Sequence, residues 1–170
     1  MPAAIYAKSP DIDRRVNEAI RAMTSAELIS AERGHRPPRG GTMDLVAALA
    51  LGDWPTAERL VRDNPDLIER GRAKAGVLHL MAKRGNVSAM KWLLDHGADP
   101  NALWAHWDAD VTPLHLAILE SHADVVSVLL ASGADPRIRD SKHDSDALDW
   151  ADFFKRRDIV RILRDHGAKS

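Results

Sequence analysis

Cysteine is absent from the 170 residues. That excludes disulfides, thiolate metal sites and cysteine nucleophiles, and it fits a reducing compartment. Neither sign of charge is in excess: 24 Lys and Arg stand against 25 Asp and Glu, a formal net charge of −1. A nucleic-acid binder normally carries a strong basic bias, so nucleic acid is not an expected partner. The longest apolar run, Leu45 to Leu51, is far shorter than the ~20 residues that span a bilayer. Met1 to Pro10 shows no basic segment followed by an apolar stretch, so no signal peptide is expected there. These features together suggest a cytoplasmic protein without membrane contact. Glycine-rich phosphate loops, nucleophile elbows and His-Glu-x-x-His pairs are also missing, so no enzyme class declares itself.

The 45% of hydrophobic residues, beside 29% charged, is a balance that folds around a real core. Self-similarity then decides the architecture. One segment reads Thr112-Pro-Leu-His-Leu-Ala117, then Val125-Val126 and Val128-Leu129-Leu130, and closes on Gly133-Ala-Asp-Pro136. An earlier copy runs from Val77-Leu-His-Leu-Met-Ala82 through Trp92-Leu93-Leu94 to Gly97-Ala-Asp-Pro100. A later one runs from Ala147-Leu-Asp-Trp-Ala151 through Ile159-Val160 and Ile162-Leu163 to Gly167-Ala168. A fainter one holds Asp44-Leu45-Val46-Ala-Ala48, Gly52-Asp53 and Leu60-Val61. The equivalent leucines Leu45, Leu78, Leu114 and Leu148 are spaced by 33, 36 and 34 residues.

Each copy reads physically as a helix pair. Thr112 suits a helix N-cap, and Pro113 suits the first helical position because its missing N–H costs nothing there. Leu114, Leu116, Ala117 and Ile118 make an apolar stripe, and small Ala117 admits a close neighbour. Ser121 to Asp124 turns the chain into a second helix carrying Val125, Val128 and Leu129. Gly97, Gly133 and Gly167 stand where a helix ends in the left-handed conformation. One pair cannot bury its apolar face alone, so pairs must stack, with polar caps at the ends. Lys155, Arg156, Arg157, Arg161, Arg164 and Asp165 fit such a cap.

A period near 33 residues with Thr-Pro-Leu-His-x-Ala resembles the ankyrin repeat family over about residues 41–168. The expected fold is therefore all-α: an ankyrin-repeat solenoid of helix-turn-helix units with short β-turn or hairpin fingers. Four repeats are expected at about 41–73, 74–107, 108–143 and 144–170, behind an N-terminal helical cap and linker over 1–40. In that cap Ile12, Val16, Ala19, Ile20, Met23, Leu28 and Ile29 recur at helical spacing, as one helix or two. The resemblance implies binding of another protein, with no cofactor and no shared target, by a chain expected to act as a monomer. It also implies that His79 and His115 hydrogen-bond between repeats; Asp149 holds that slot in the last one.

Candidate contact residues follow from the expected fingers and groove. Between Asn101 and Val111 the usual short polar turn is replaced by Trp104, His106, Trp107, Asp108 and Asp110. Tryptophan is enriched in binding hot spots, so Trp104 and Trp107 either meet a partner or fold back and stiffen the finger. His106, Asp108 and Asp110 also allow a metal-dependent enzyme as a further reading, loosely spaced for ligands. The next finger carries Arg137, Arg139, Lys142 and His143, a positive patch unless Asp140, Asp144 and Asp146 neutralise it in a solvated loop. The resemblance places the groove at Lys83 and Arg84, Leu119 and Glu120, and Phe153 and Phe154. The last pair are the only phenylalanines in the chain, set to mark a binding surface or to pack inward. Trp92 and Trp150 fall on positions expected to be core. A regulatory or inhibitory subunit of an enzyme or toxin is the alternative function.

Overall fold

The computed structural model describes residues 42–68, 76–106 and 108–167. The expected N-terminal cap and Trp107 lie outside the described residues. The chain divides between Asp63 and Asn64 into two compact units.

In the first unit, α1 spans Thr42–Leu51 and α2 spans Trp54–Asp63, packed on each other. Leu45, Val46, Ala47, Ala48 and Leu49 are all buried, as are Ala57 and Leu60 on the facing stripe of α2. The link between them is short because Gly52 takes φ 71°, where a side chain would be strained. The Asp53 carboxylate accepts the Thr56 N–H at 3.2 Å and so caps α2.

The second unit opens on a 3-10 turn, Pro65–Leu67, and continues as three helix pairs among the described residues. They are α3 (Val77–Lys83) with α4 (Val87–Asp95), α5 (Pro113–Leu119) with α6 (Ala123–Ala131), and α7 (Ala147–Phe153) with α8 (Arg157–Asp165). Helix α5 packs between α3 and α7, while α6 packs between α4 and α8. Two parallel rows of helices result, the solenoid arrangement expected from the repeats. Leu114, Leu116, Ala117 and Ile118 on α5 are each at most 1% exposed. A fully buried leucine or isoleucine contributes roughly 1.5–3 kcal/mol, so this central row carries much of the stability. Gly97, Gly133 and Gly167 each take φ 89°, ending the outer helices as expected.

Two expectations about tryptophans need correction. Trp92 and Trp150 are both half-buried and not core. Trp92 lies on the outer row, one turn before His96, and the two rings stack at 3.8 Å between centroids. Spacing i, i+4 puts them on one exposed face of α4. Trp150 lies on the inner row and belongs to the groove described below. Arg156, expected to decorate the terminal cap, instead reaches back and donates from Nη2 to the Leu119 carbonyl at 2.9 Å. It ties the last repeat to the one before it.

Candidate functional site

The fingers explain how the groove is built. Between α4 and α5 the chain forms an antiparallel hairpin, β1 (Trp104–His106) and β2 (Ala109–Val111), with Trp104 paired to Val111. His79, one turn into α3, holds the base of this hairpin. Its Nε2 lies 3.0 Å from both the Ala102 and Val111 carbonyls. Facing two acceptors, Nε2 must carry the proton and donate, leaving Nδ1 bare. That Nδ1 is buried without a hydrogen-bond partner. Burial, against the help of the two carbonyls, drives the His79 pKa from 6.5 down to about 4.

His115 has the same place one repeat later, but its Nδ1 is satisfied. Thr112 supplies its hydroxyl at 2.8 Å and its N–H at 3.2 Å, while His115 Nε2 points to the Ser145 carbonyl at 3.3 Å. Thr112 and His115 thus form a reciprocal cap on α5. Asp146 and Asp149 repeat that cap on α7 with two carboxylates. In the second repeat the capping slot is Gly76, and the reason is Trp104. A Cβ at Gly76 would lie 2.8 Å from the indole Cδ2 of Trp104 and 2.8 Å from the His79 Cβ. Trp104 therefore folds back: its ring sits 5.6 Å from that of His79 and 5.4 Å from that of His106. Of the two readings open for Trp104, the ring takes the one that folds back on the base of its finger, and it does not line the groove described below.

The next finger is built on Asp140, which was expected to be a solvated counter-ion. It is 2% exposed and accepts four N–H groups: those of Lys142, His143 and Ser145 and the indole Nε1 of Trp150, between 2.7 and 3.3 Å. Burial pushes the Asp140 carboxyl up, but the N–H donors outweigh it and hold the pKa below the usual value. Adjacent fingers are laced together where Ser141 N–H donates to the Asp110 carbonyl at 3.2 Å and Asp110 N–H donates to Ser141 Oγ at 2.7 Å. Lys142 pairs with Asp108 across the same gap.

Between the fingers and the inner helices lies an open groove of about 780 Å³. Val111 and Leu119 floor it, with Trp150, Phe153 and Phe154 along one wall and His106, Asp108, Lys142 and His143 along the other. Ser145, Asp149 and Asp152 complete the rim. The rings of that wall touch in series, Trp150 to Phe154 at 5.7 Å and Phe154 to Phe153 at 5.1 Å, edge to face, with buried His115 behind them 4.9 Å from Trp150. Phe153 is 78% exposed, alone in this among the large hydrophobic side chains of the described residues.

Of the sequence candidates, His106, Asp108, Leu119, His143, Phe153 and Phe154 are thus brought together. Lys83 joins at the edge, its Nζ 3.3 Å from His106 Nε2. Burial first, and then the Lys83 charge, lower the His106 pKa. Arg84 and Glu120 end α3 and α5 outside the groove lining. The positive patch does not form: Arg137 pairs with Asp135 and Arg139 with Asp144, besides Lys142 with Asp108. Nor do His106, Asp108 and Asp110 converge. Asp110 is paired with Ala105, one position from His106, so the two side chains leave opposite faces of the hairpin. Among the described residues, no three metal-ligating side chains cluster. Asp149, Trp150 and Asp152 were not singled out as contacts. The signal was helical spacing: Trp150 precedes Phe153 and Phe154 by three and four residues, on one face of α7.

The family described as "Ankyrin repeats (3 copies)" matches residues 45–140 and, overlapping, 78–170. The chain belongs to the ankyrin repeat family. Among similar proteins, the palmitoyltransferase Hip14 of Drosophila melanogaster is 32% identical over 58% of this chain and 15% of its own length. The E3 ubiquitin-protein ligase XB3 of Oryza sativa subsp. japonica is 33% identical over 61% of this chain and 23% of its own. Serine/threonine-protein kinase 12 of Arabidopsis thaliana is 36% identical over 66% of this chain and 24% of its own. The chain thus spans between 15% and 24% of these relatives. Ankyrin repeats are protein-interaction modules and are not themselves catalytic. No helix among the described residues is long and apolar enough to cross a membrane.

Proposed function

We propose that this chain is a monomeric, cytoplasmic binding module that receives another protein in the groove between its fingers and inner helices. The observation that carries this reading is the exposed Phe153 at the lip of a ring-lined groove. A phenylalanine left 78% exposed forgoes roughly 2 kcal/mol of burial. That loss is recovered when a partner covers it, and aromatic residues in a sheltered groove are typical anchors of binding energy. Leu119, Trp150 and Phe154 then form the apolar centre, while His106, Asp108 and His143 contribute a polar rim. Three of the relatives bear names of enzymes, and a recruiting role beside a catalytic segment or enzyme is consistent with this reading.

Phe153→Ala tests it. The side chain is largely in water, so thermal stability is expected to change by less than ~1 kcal/mol. Capture of the native partner from cell extract is expected to fall by about tenfold or more. Lys91→Ala, on the outer row, is expected to leave capture unchanged. Equal capture by wild type and Phe153→Ala contradicts the groove as the docking surface.

A further inference from the structure

We propose that the groove is selective for a basic, extended segment of the partner, in which a lysine or arginine is flanked by apolar residues. The proposal rests on the groove reading above and adds the chemistry of its occupant. The argument is one of unbalanced charge beside exposed rings. Asp108 is already neutralised by Lys142. Burial and the Lys83 charge lower the His106 pKa, so a positive charge on that imidazole is disfavoured. On the opposite lip Asp149 and Asp152 are both exposed, and no cation among the described residues pairs with either. Asp149 accepts the Asp146 N–H with Oδ2 at 3.1 Å, which leaves its other oxygen available.

Asp149 stands one turn before Phe153 and Asp152 directly precedes it in the chain, and both line the groove together with the rings. A cation there meets a carboxylate on one side and an aromatic surface on the other, two attractions that favour Lys and Arg over any neutral or acidic side chain. The apolar stem of such a residue lies along the groove floor while its head stays at the charged lip. Apolar neighbours in the same segment cover Val111, Leu119 and Phe153. The volume of about 780 Å³ is in the upper part of the range of roughly 300–1,000 Å³ for pockets that take a drug-sized ligand. That is room for a short stretch of peptide and not only for one side chain.

A phage-displayed library of random peptides, panned on the immobilised full chain and in parallel on Phe153→Ala, tests both levels. The expected result is enrichment of Lys- or Arg-containing peptides with apolar neighbours, lost on Phe153→Ala. A fluorescein-labelled peptide from that pool is then expected to bind Asp149→Asn/Asp152→Asn about five- to tenfold more weakly by anisotropy. Asparagine at 149 retains an oxygen for the cap, and circular dichroism of the double variant checks that the fold persists. Replacing the peptide's cation by norleucine is expected to cause a similar loss on wild type and little further loss on the double variant. Enrichment of acidic or uncharged peptides that still depends on Phe153 overturns the charge preference and leaves the docking groove standing. No enrichment, or enrichment indifferent to Phe153→Ala, overturns both.

Discussion

Lowering the pH from about 7.5 to about 5 is expected to remove about 2 kcal/mol of folding stability through His79 alone. In the folded protein this imidazole is buried, and its pKa is lowered from 6.5 to about 4. Above the ordinary value both folded and unfolded chains hold it neutral, so it contributes no pH dependence. Between that value and about 4 the unfolded chain takes up a proton that the folded chain refuses, and stability falls as pH falls. Below that window both states are charged and the loss levels off, at about 3 kcal/mol in all. His115 is lowered by burial in the same direction and adds to the loss. The Asp140 carboxyl is held below the usual carboxylate range, so its contribution is lost in a more acid window and separates cleanly. The physical origin is the bare Nδ1: a proton added there would be a charge in the core with nothing to meet it. Denaturant midpoints against pH read the effect. The imidazole Cε1–H resonance of His79, followed by NMR, reads the cause. An imidazole that titrates near the ordinary histidine value contradicts the account.

Gly76→Thr, which restores the residue type found at Thr112, is expected to destabilise by about 1–3 kcal/mol. The same change in an ordinary repeat would supply a helix cap and a partner for the histidine. Here the new Cβ would meet the Trp104 ring and the His79 Cβ, both at 2.8 Å. The backbone differs as well: Gly76 has φ −15° and ψ 50°, whereas Thr112 is extended at φ −87° and ψ 164°. Threonine must therefore displace the indole or move the chain. The discriminating variant is the pair with Trp104→Ala. Removing the ring alone costs packing, but with the ring gone the threonine no longer meets the indole and only its contact with the His79 Cβ and the backbone difference remain. The two substitutions are expected to be non-additive by about 1–2 kcal/mol, the threonine being less harmful without the ring than with it. Simple additivity in urea melts would mean that Gly76 and Trp104 are not coupled.

The helix pairs were legible because their cause is local. Leucines spaced near 33 residues, a Thr-Pro pair opening α5 and glycines closing the outer helices each reflect a backbone demand that only a few residues meet. The groove was half legible. Leu119, Phe153 and Phe154 follow from the position of the inter-helix turn, and His106, Asp108 and His143 from the fingers. Asp140 was misread because a finger rich in Asp, Lys and Arg reads as solvated. Only the fold shows that its carboxylate gathers four N–H donors from a turn and from the next helix. Trp150 was misread because its slot holds Leu116 in the preceding repeat, where it is fully covered. In the last repeat the same slot stays half-buried and lines the groove. Trp104 was ambiguous from sequence, and the missing Cβ at Gly76, 28 residues earlier in the slot that Thr112 fills in the next repeat, is the signal that the ring needs that space.

The account stands on Phe153 and its neighbouring rings touching the partner, and site-specific photocrosslinking tests that most directly. Benzoylphenylalanine placed at position 153, and separately at Lys91 on the outer helix row, is irradiated in the presence of the native partner. The account predicts an adduct from position 153, mapped by mass spectrometry to a basic stretch of the partner, and none from position 91. Adducts from position 91 with none from 153 would contradict it.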